Sequence, residues 1–212
     1  MKKLLSELKR LLEEGQSAVL VTVTASSGAT PRGAGARMLV SAQGRVCGTI
    51  GGGAVEFRST KLADDALKSR QSCTSRFQLS SNQVADLGMI CGGNVTVYFQ
   101  YIDASRKDIE ALAERALELM EEGKSCWLVT EISDGSEWGL SLYEDGGPNP
   151  ALPQPVLDVL NKPLVNLTVD GKQYYAEQLT YAGRVFIFGG GHVAQELVPV
   201  LSHLDFRCIV LD

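Results

Sequence analysis

The segment RVFIFGGGHVAQELVPVLSHLDFRCIVLD, residues 184–212, constrains the fold more than any other. A short apolar run, Arg184–Phe188, leads directly into Gly189, Gly190 and Gly191. A helical pattern follows from His192 to Leu204, with Val193, Leu197, Val200, Leu201 and Leu204 on one face. A second β-rich run, Phe206–Leu211, ends at Asp212. Strands joined through a helix lie parallel in one sheet, with a right-handed crossover. The C-terminal end of the chain is therefore expected to be a parallel βαβ unit.

The glycine spacing adds chemistry to that geometry. Gly189-x-Gly191-x-x-Ala194 has small residues where a dinucleotide fingerprint needs them. The first allows the tight turn, the second lets backbone approach a pyrophosphate, and the third lets helix pack on strand. His192, first in the helix, would neighbour a phosphate at the helix N-terminus. Asp212 ends the second strand, where an acid about 20 residues on meets a ribose hydroxyl. A full mononucleotide half needs more than one crossover, and this sequence stops at the second strand. The unit is expected to be incomplete here. Its remaining strands come from a longer chain or a partner copy, or the N-terminal part covers its edge.

Upstream, the pattern is mixed. Leu4, Leu5, Leu8, Leu11 and Leu12 recur at helical spacing, and Gly15 ends that helix. SAVLVTVTA, residues 17–25, reads as a buried strand, followed by strands at 37–41 and 45–50. Further helices are expected over 54–70 and 105–122, the latter with Ser105 and Asp108 spaced as a capping box. Strands are expected at 75–79, 94–102, 125–132 and 137–143. GGPNPALPQP, from residue 146, reads as a linker, and Asp170-Gly171 as the turn of a hairpin over 164–179. The fold class is α/β: an N-terminal mixed α+β domain over residues 1–145, a linker and β-hairpin over 146–182, then the start of a Rossmann-like parallel βαβ domain over 183–212.

Composition excludes several functions. A formal net charge of −5 leaves no global basic field for nucleic acid or an anionic membrane. No apolar run approaches the ~20 residues of a membrane span. Charges from Glu7 to Glu14 interrupt the leucines of the N-terminus, against an export signal, so a cytoplasmic location is expected. Five cysteines, an odd number without a CxxC pair, disfavour a disulfide framework or structural zinc. Cys47, Cys126 and Cys208 fall in apolar strand patterns and read as core.

Three N-terminal segments are rich in turn residues: SSGATPRGAGARMLV (26–40), GTIGGGAVEF (48–57) and DLGMICGGNV (86–95). In the second, Gly51, Gly52 and Gly53 precede a helix, an arrangement that offers backbone N–H groups to a phosphate. Arg32, after Thr30-Pro31, has the forked guanidinium that grips phosphate oxygens. Glu56 either caps the helix or accepts from an amino-pterin ring. Cys91, between Met89-Ile90 and Gly92-Gly93, is expected on a turn, where a thiolate suits a soft metal or sulfur chemistry.

The order TPRGAGARMLV, GRVCGTIGGGAVE, GMICGG, a proline-rich linker and FIFGGGHVAQEL resembles the XdhC/CoxI family of xanthine dehydrogenase accessory factors. That resemblance implies a maturation factor that binds the molybdenum cofactor, a pterin dithiolene with a phosphate, protects it during sulfuration and delivers it to a molybdenum hydroxylase apoenzyme. It implies Thr30, Arg32, Gly51–Gly53, Glu56, Cys91, Gly92 and Gly93 as cofactor-binding residues. A sulfur-transfer protein and a second copy in a homodimer are the further expected partners. Because no acid–base pair or metal-ligand set stands out, a chaperone is favoured over a turnover enzyme. Two other readings stay open: an NAD(P)-dependent oxidoreductase using the Gly189–Asp212 unit, and a non-catalytic scaffold or regulatory component of a hydroxylase.

Overall fold

The computed structural model describes residues 1–78, 93–147, 150–179, 183–204 and 206–212. In chain order the elements are α1 (Lys2–Glu13), β1 (Ala18–Ser27), β2 (Arg37–Ser41), β3 (Gly44–Thr49), α2 (Gly53–Ser69), β4 (Cys73–Gln78), β5 (Asn94–Ile102) and α3 (Lys107–Glu122). There follow β6 (Cys126–Ile132), β7 (Gly139–Glu144), α4 (Gln154–Leu157), β8 (Leu164–Val169), β9 (Lys172–Leu179), β10 (Arg184–Phe188), α5 (His192–His203) and β11 (Arg207–Leu211). The elements build three sheets, so the mixed N-terminal part and the parallel C-terminal unit are both present.

The first sheet has the order β3-β2-β1-β5-β4, all antiparallel. Its central strand β1 is apolar on both faces because helices cover both. Ala18 and Leu20 point into a core shared with α1 and α3. Val19, Val21 and Val23 point into a second core under α2. The five leucines of α1 are all buried. Each is worth roughly 2 kcal/mol relative to exposure. That packing holds α1 although Lys2 and Lys3 sit at the positive end of its dipole, with no acid in the first turn.

The second sheet has the order β7-β6-β9-β8. One face joins the α1–α3 core through Cys126, Leu128, Leu140 and Leu179. The other carries Trp127, Val129, Val165, Tyr174 and Ala176 against Val156 and Leu160 around α4. Antiparallel pairing of β9 with β6 runs from Cys126–Leu179 to Ile132–Gln173. The hairpin expected beside a linker is thus half of a sheet whose other half precedes residue 146. Its turn has positive φ at both Asp170 (49°) and Gly171 (79°), the left-handed pair that matches strand twist. The two sheets are stitched by Tyr98 Oη donating to the Ser133 carbonyl (2.8 Å) and by Asn166 Nδ2 donating to the Thr24 carbonyl (3.1 Å).

One expected cap does not form. Helix α3 starts at Lys107, and its N-cap Arg106 makes no side-chain capping bond. Ser105 instead donates to Asp103, while Asp108 holds Arg106. Those closer partners use the groups a capping box would need. The Asp103 carboxyl is held down at about 2 by the Ser105 side-chain and backbone bonds and the Tyr101 hydroxyl.

The third sheet is the parallel pair β10-β11 joined by α5. Ala194 is buried at the crossover. The helix face expected to pack is open: Val193, Leu197, Val200 and Leu204 are exposed, as are Phe186 and Phe188 on β10. Two strands give one helix too little sheet to cover both apolar faces, which parallel sheets normally bury. No helix among the described residues is long and apolar enough to cross a membrane.

Candidate functional site

The described parts of the glycine-rich segments meet at one end of the first sheet. Strand β1 ends there at Ser27, opposite the start of β5 at Asn94, and β2 starts and β3 ends there, Arg37 facing Thr49. The packing is close. A β-carbon on Gly51 would lie 2.7 Å from Pro31 Cβ and 3.4 Å from the Arg32 nitrogen. One on Gly93 would lie 2.4 Å from the Ser27 carbonyl oxygen and 2.7 Å from both the Ala29 carbonyl oxygen and Thr30 Cγ2. The structure therefore brings Thr30, Arg32, Gly51 and Gly93 together. Cys91 and Gly92 lie outside the described residues.

The three glycines before α2 are not an open phosphate cradle in this conformation. Gly51, Gly52 and Gly53 all have positive φ (123°, 72° and 57°), which turns the chain sharply into the helix. Two amides of that turn and its neighbour are already satisfied. Glu56 Oε2 accepts from the Ile50 and Gly52 N–H groups, each at 3.1 Å, and from the Thr49 hydroxyl. The Gly51 N–H donates to Thr49 Oγ1 (3.1 Å), and Arg45 holds the other Glu56 oxygen at 2.6 Å. A carboxylate attached to the helix thus takes the place assigned to a ligand anion. Glu56 makes the bonds expected of a cap to the turn.

Burial would push the Glu56 carboxyl up, but the bonds from Thr49, Gly52 and Ile50 and the Arg45 charge outweigh it and hold the group below its ordinary 4.5. Its stabilisation is present above that ordinary value and is lost as pH falls through the lower folded value. Glu56→Gln is expected to cost about 1–3 kcal/mol at neutral pH. Urea titrations of both proteins from pH 7 to pH 3 check this. The gap between them should narrow on acidification; a constant gap would show that charge is not the reason.

Beside the loops lies a cleft of about 330 Å³, lined by Lys3, Arg32, Arg37, Cys47, Thr49 and Glu177 among others. Arg32 is exposed, and among the described residues neither it nor Lys3 has an ion-pair partner. Arg37 is different. Its side chain is only 3% exposed and pairs with Glu177 of β9. Its Nε donates to Thr22 Oγ1 (3.1 Å), and the guanidinium lies 5.6 Å from the Tyr175 ring centre. Burial raises the Tyr175 hydroxyl well above its ordinary value, so it stays protonated. Burial also raises the Cys47 thiol, which fits a core cysteine better than a nucleophile.

Periodicity and motif spacing did not point to Lys3, Arg37, Thr49 or Glu177. The available signal was a charge inside an apolar strand, as in RMLV and YYAEQL, where a buried ion needs a partner.

The residues of the C-terminal turn are also close together, with one difference from expectation. Asp212 Oδ1 accepts from the Gly190 N–H at 3.0 Å, so the acid caps the glycine turn itself. Gly189 needs its left-handed φ of 100°, whereas a β-carbon on Gly191 would meet open space. His192 is the first residue of α5 and is exposed.

The sequence profile of the XdhC and CoxI family matches residues 11–78. The match contains β1, β2, β3 and α2, hence Thr30, Arg32, the Gly51–Gly53 turn and Glu56. The chain is similar to a probable xanthine dehydrogenase subunit of Bacillus subtilis (strain 168), at 27% identity over 97% of this chain and 62% of that protein. It is also similar to the molybdenum cofactor insertion chaperone PaoD of Escherichia coli (strain K12), at 35% identity over 41% of this chain and 27% of that protein. The chain spans between 17% and 62% of the curated relatives it matches. The crystal structure of a Bacillus halodurans protein described as a xanthine dehydrogenase shares the fold, with a TM-score of 0.73 and 22% identity over 97% of this chain and 61% of that one.

Proposed function

We propose that this chain is a cofactor-handling accessory factor of a molybdenum hydroxylase such as xanthine dehydrogenase, binding the molybdenum cofactor at the loop end of the first sheet and passing it to the apoenzyme. The observation that carries the reading is the convergence of Thr30, Arg32, Gly51 and Gly93 beside a cationic cleft, within and next to the XdhC and CoxI segment. The names of the Bacillus subtilis and Escherichia coli relatives support it.

The residues present fit such a ligand. A phosphate-bearing pterin needs cations and polar groups around an opening larger than a water site. The cleft offers Lys3 and Arg32, unpaired among the described residues, and Arg37 with one nitrogen that has no described partner. Arg32 would hold the phosphate, and the Thr30 hydroxyl and neighbouring loop backbone would hold polar edges of the pterin. When bound, the cofactor supplies the dithiolene sulfurs that carry molybdenum in the client enzyme. The chain's own part is to grip the anion and shield the ring from water at a loop end that opens outward. Transfer needs reversible binding, which exposed cations provide better than buried ones.

The test is to purify the protein from cells making the cofactor and measure bound pterin after oxidation to its fluorescent product. Retained pterin, falling several-fold in Arg32→Ala, is expected, together with weaker activation of a client apoenzyme by Arg32→Ala and Cys91→Ala. If the protein carries no pterin and the substitutions leave client activation unchanged, the reading fails. Saturable NAD(P) binding abolished by Gly191→Val would favour the oxidoreductase reading instead.

A further inference from the structure

We infer that the cleft between α1, the loop end of the first sheet and strand β9 is a phosphate or pyrophosphate site built by Lys3, Arg32 and Arg37, with Glu177 of the second sheet as a built-in competitor that weakens anion binding. This deepens the proposed function, on which the identity of the natural ligand rests. The anion chemistry stands on the observations below.

The first observation is the state of Arg37. A guanidinium has five N–H donors in a fixed fork. Nε is used by Thr22 and Nη1 by Glu177, but Nη2 donates to no described residue. Arg37 also lines the cleft. A nearly buried cation that lines an opening and keeps a nitrogen with no described protein partner can take an acceptor that is not part of the protein.

The second is the placement of Lys3. A lysine in the first turn opposes the helix dipole and destabilises the helix. Lys2 relieves this through Glu121 at 2.9 Å. Lys3 has no such partner among the described residues and lines the cleft with Leu4. An anion there would be attracted by Lys3, by the first turn of α1 and by Arg32 on the facing loop.

The third is charge balance. Among the described residues three cationic side chains line the cleft, and the one acidic side chain lining it, Glu177, is committed to Arg37. The cleft is cationic while the whole chain carries −5. A dianion suits the excess, and Glu177 repels it while sharing Arg37. Glu177 therefore sets affinity in a range that permits release, and ties the second sheet to the occupancy of the first. The expected weakening is roughly fivefold in affinity, what repulsion between unit charges about 4 Å apart gives at the dielectric of bulk water.

The experiment is calorimetric titration of the whole chain with pyrophosphate, then with inorganic phosphate. Saturable binding that weakens steeply with salt is expected. Lys3→Ala and Arg32→Ala should each weaken it about three- to tenfold, and Glu177→Gln should tighten it several-fold. Lys3 and Arg32 are exposed and unpaired, so those two variants will fold. Thermal melts check that Glu177→Gln does too. Absence of binding, or binding indifferent to both cation substitutions, overturns the site. The pterin assay on the same variants separates the two ideas. Pyrophosphate binding with the expected pattern but no retained pterin supports the site and removes the molybdenum cofactor reading. Retained pterin with no saturable pyrophosphate binding overturns the site and leaves that reading standing.

Discussion

Arg37→Ala is expected to destabilise the folded chain by about 3 kcal/mol, the low end of what breaking a buried ion pair costs. Three losses combine. Thr22 Oγ1 loses its donor in the middle of the first sheet. Tyr175 loses the cation beside its ring. Glu177, 19% exposed, keeps its charge without a partner. Its partial exposure lets water relieve some of the charge, which is why the lower end applies. Urea denaturation at pH 7 measures the effect. Replacing both partners, with Arg37→Met and Glu177→Gln together, should recover much of the loss, because no buried charge is then left alone. A single-variant cost below about 1 kcal/mol would mean that the pair is effectively solvated.

Gly93→Ala is expected to cost about 2–3 kcal/mol, the range for forcing atoms into a packed site. The new methyl would lie 2.4 Å from the Ser27 carbonyl oxygen and 2.7 Å from that of Ala29. Both are backbone atoms at the end of β1 and cannot swing aside. The substitution must part the Thr30 loop from the start of β5, so loss of stability should come with weaker anion and pterin binding. Gly135→Ala is the control. Its φ of 99° strains alanine, but its β-carbon would meet nothing within 4 Å. It should cost only the strain of a left-handed residue, about 1 kcal/mol, with binding intact. Equal losses for the two variants would mean that close contact at Gly93 is not what holds the loops together.

Much of the fold was legible because its signals are local. The leucine spacing of 4–12 marked α1, and that face is buried as a stripe. SAVLVTV marked a strand covered on both sides. Asp170-Gly171 marked a tight hairpin, and Arg184 to Asp212 marked a parallel βαβ unit. The Ser105–Asp108 spacing misled for a reason of the same scale, since Asp103, two residues away, competes for the Ser105 hydroxyl.

The candidate site divides along the same line. That loops around Thr30, Arg32, Gly51–Gly53 and Gly93 are special is written in their own residues, since glycine-rich turns beside strand ends need no distant partner to be recognised. Which internal partners those residues have was decided in three dimensions. The Gly51–Gly53 turn reads as free donors until Glu56 folds back over it. Asp212 reads as a ribose ligand in the sequence, and in the fold its carboxylate accepts from the Gly190 amide. Arg37 and Glu177 are 140 positions apart, and only the packing of one sheet against another makes them a pair. The sequence by itself determined the periodicity of each element and the placing of each turn, because both depend on residues a few positions apart. Tertiary structure alone decided which donors are already satisfied and which cations remain for a ligand, because hydrogen-bond and charge balance are summed over every group in reach, however distant along the chain.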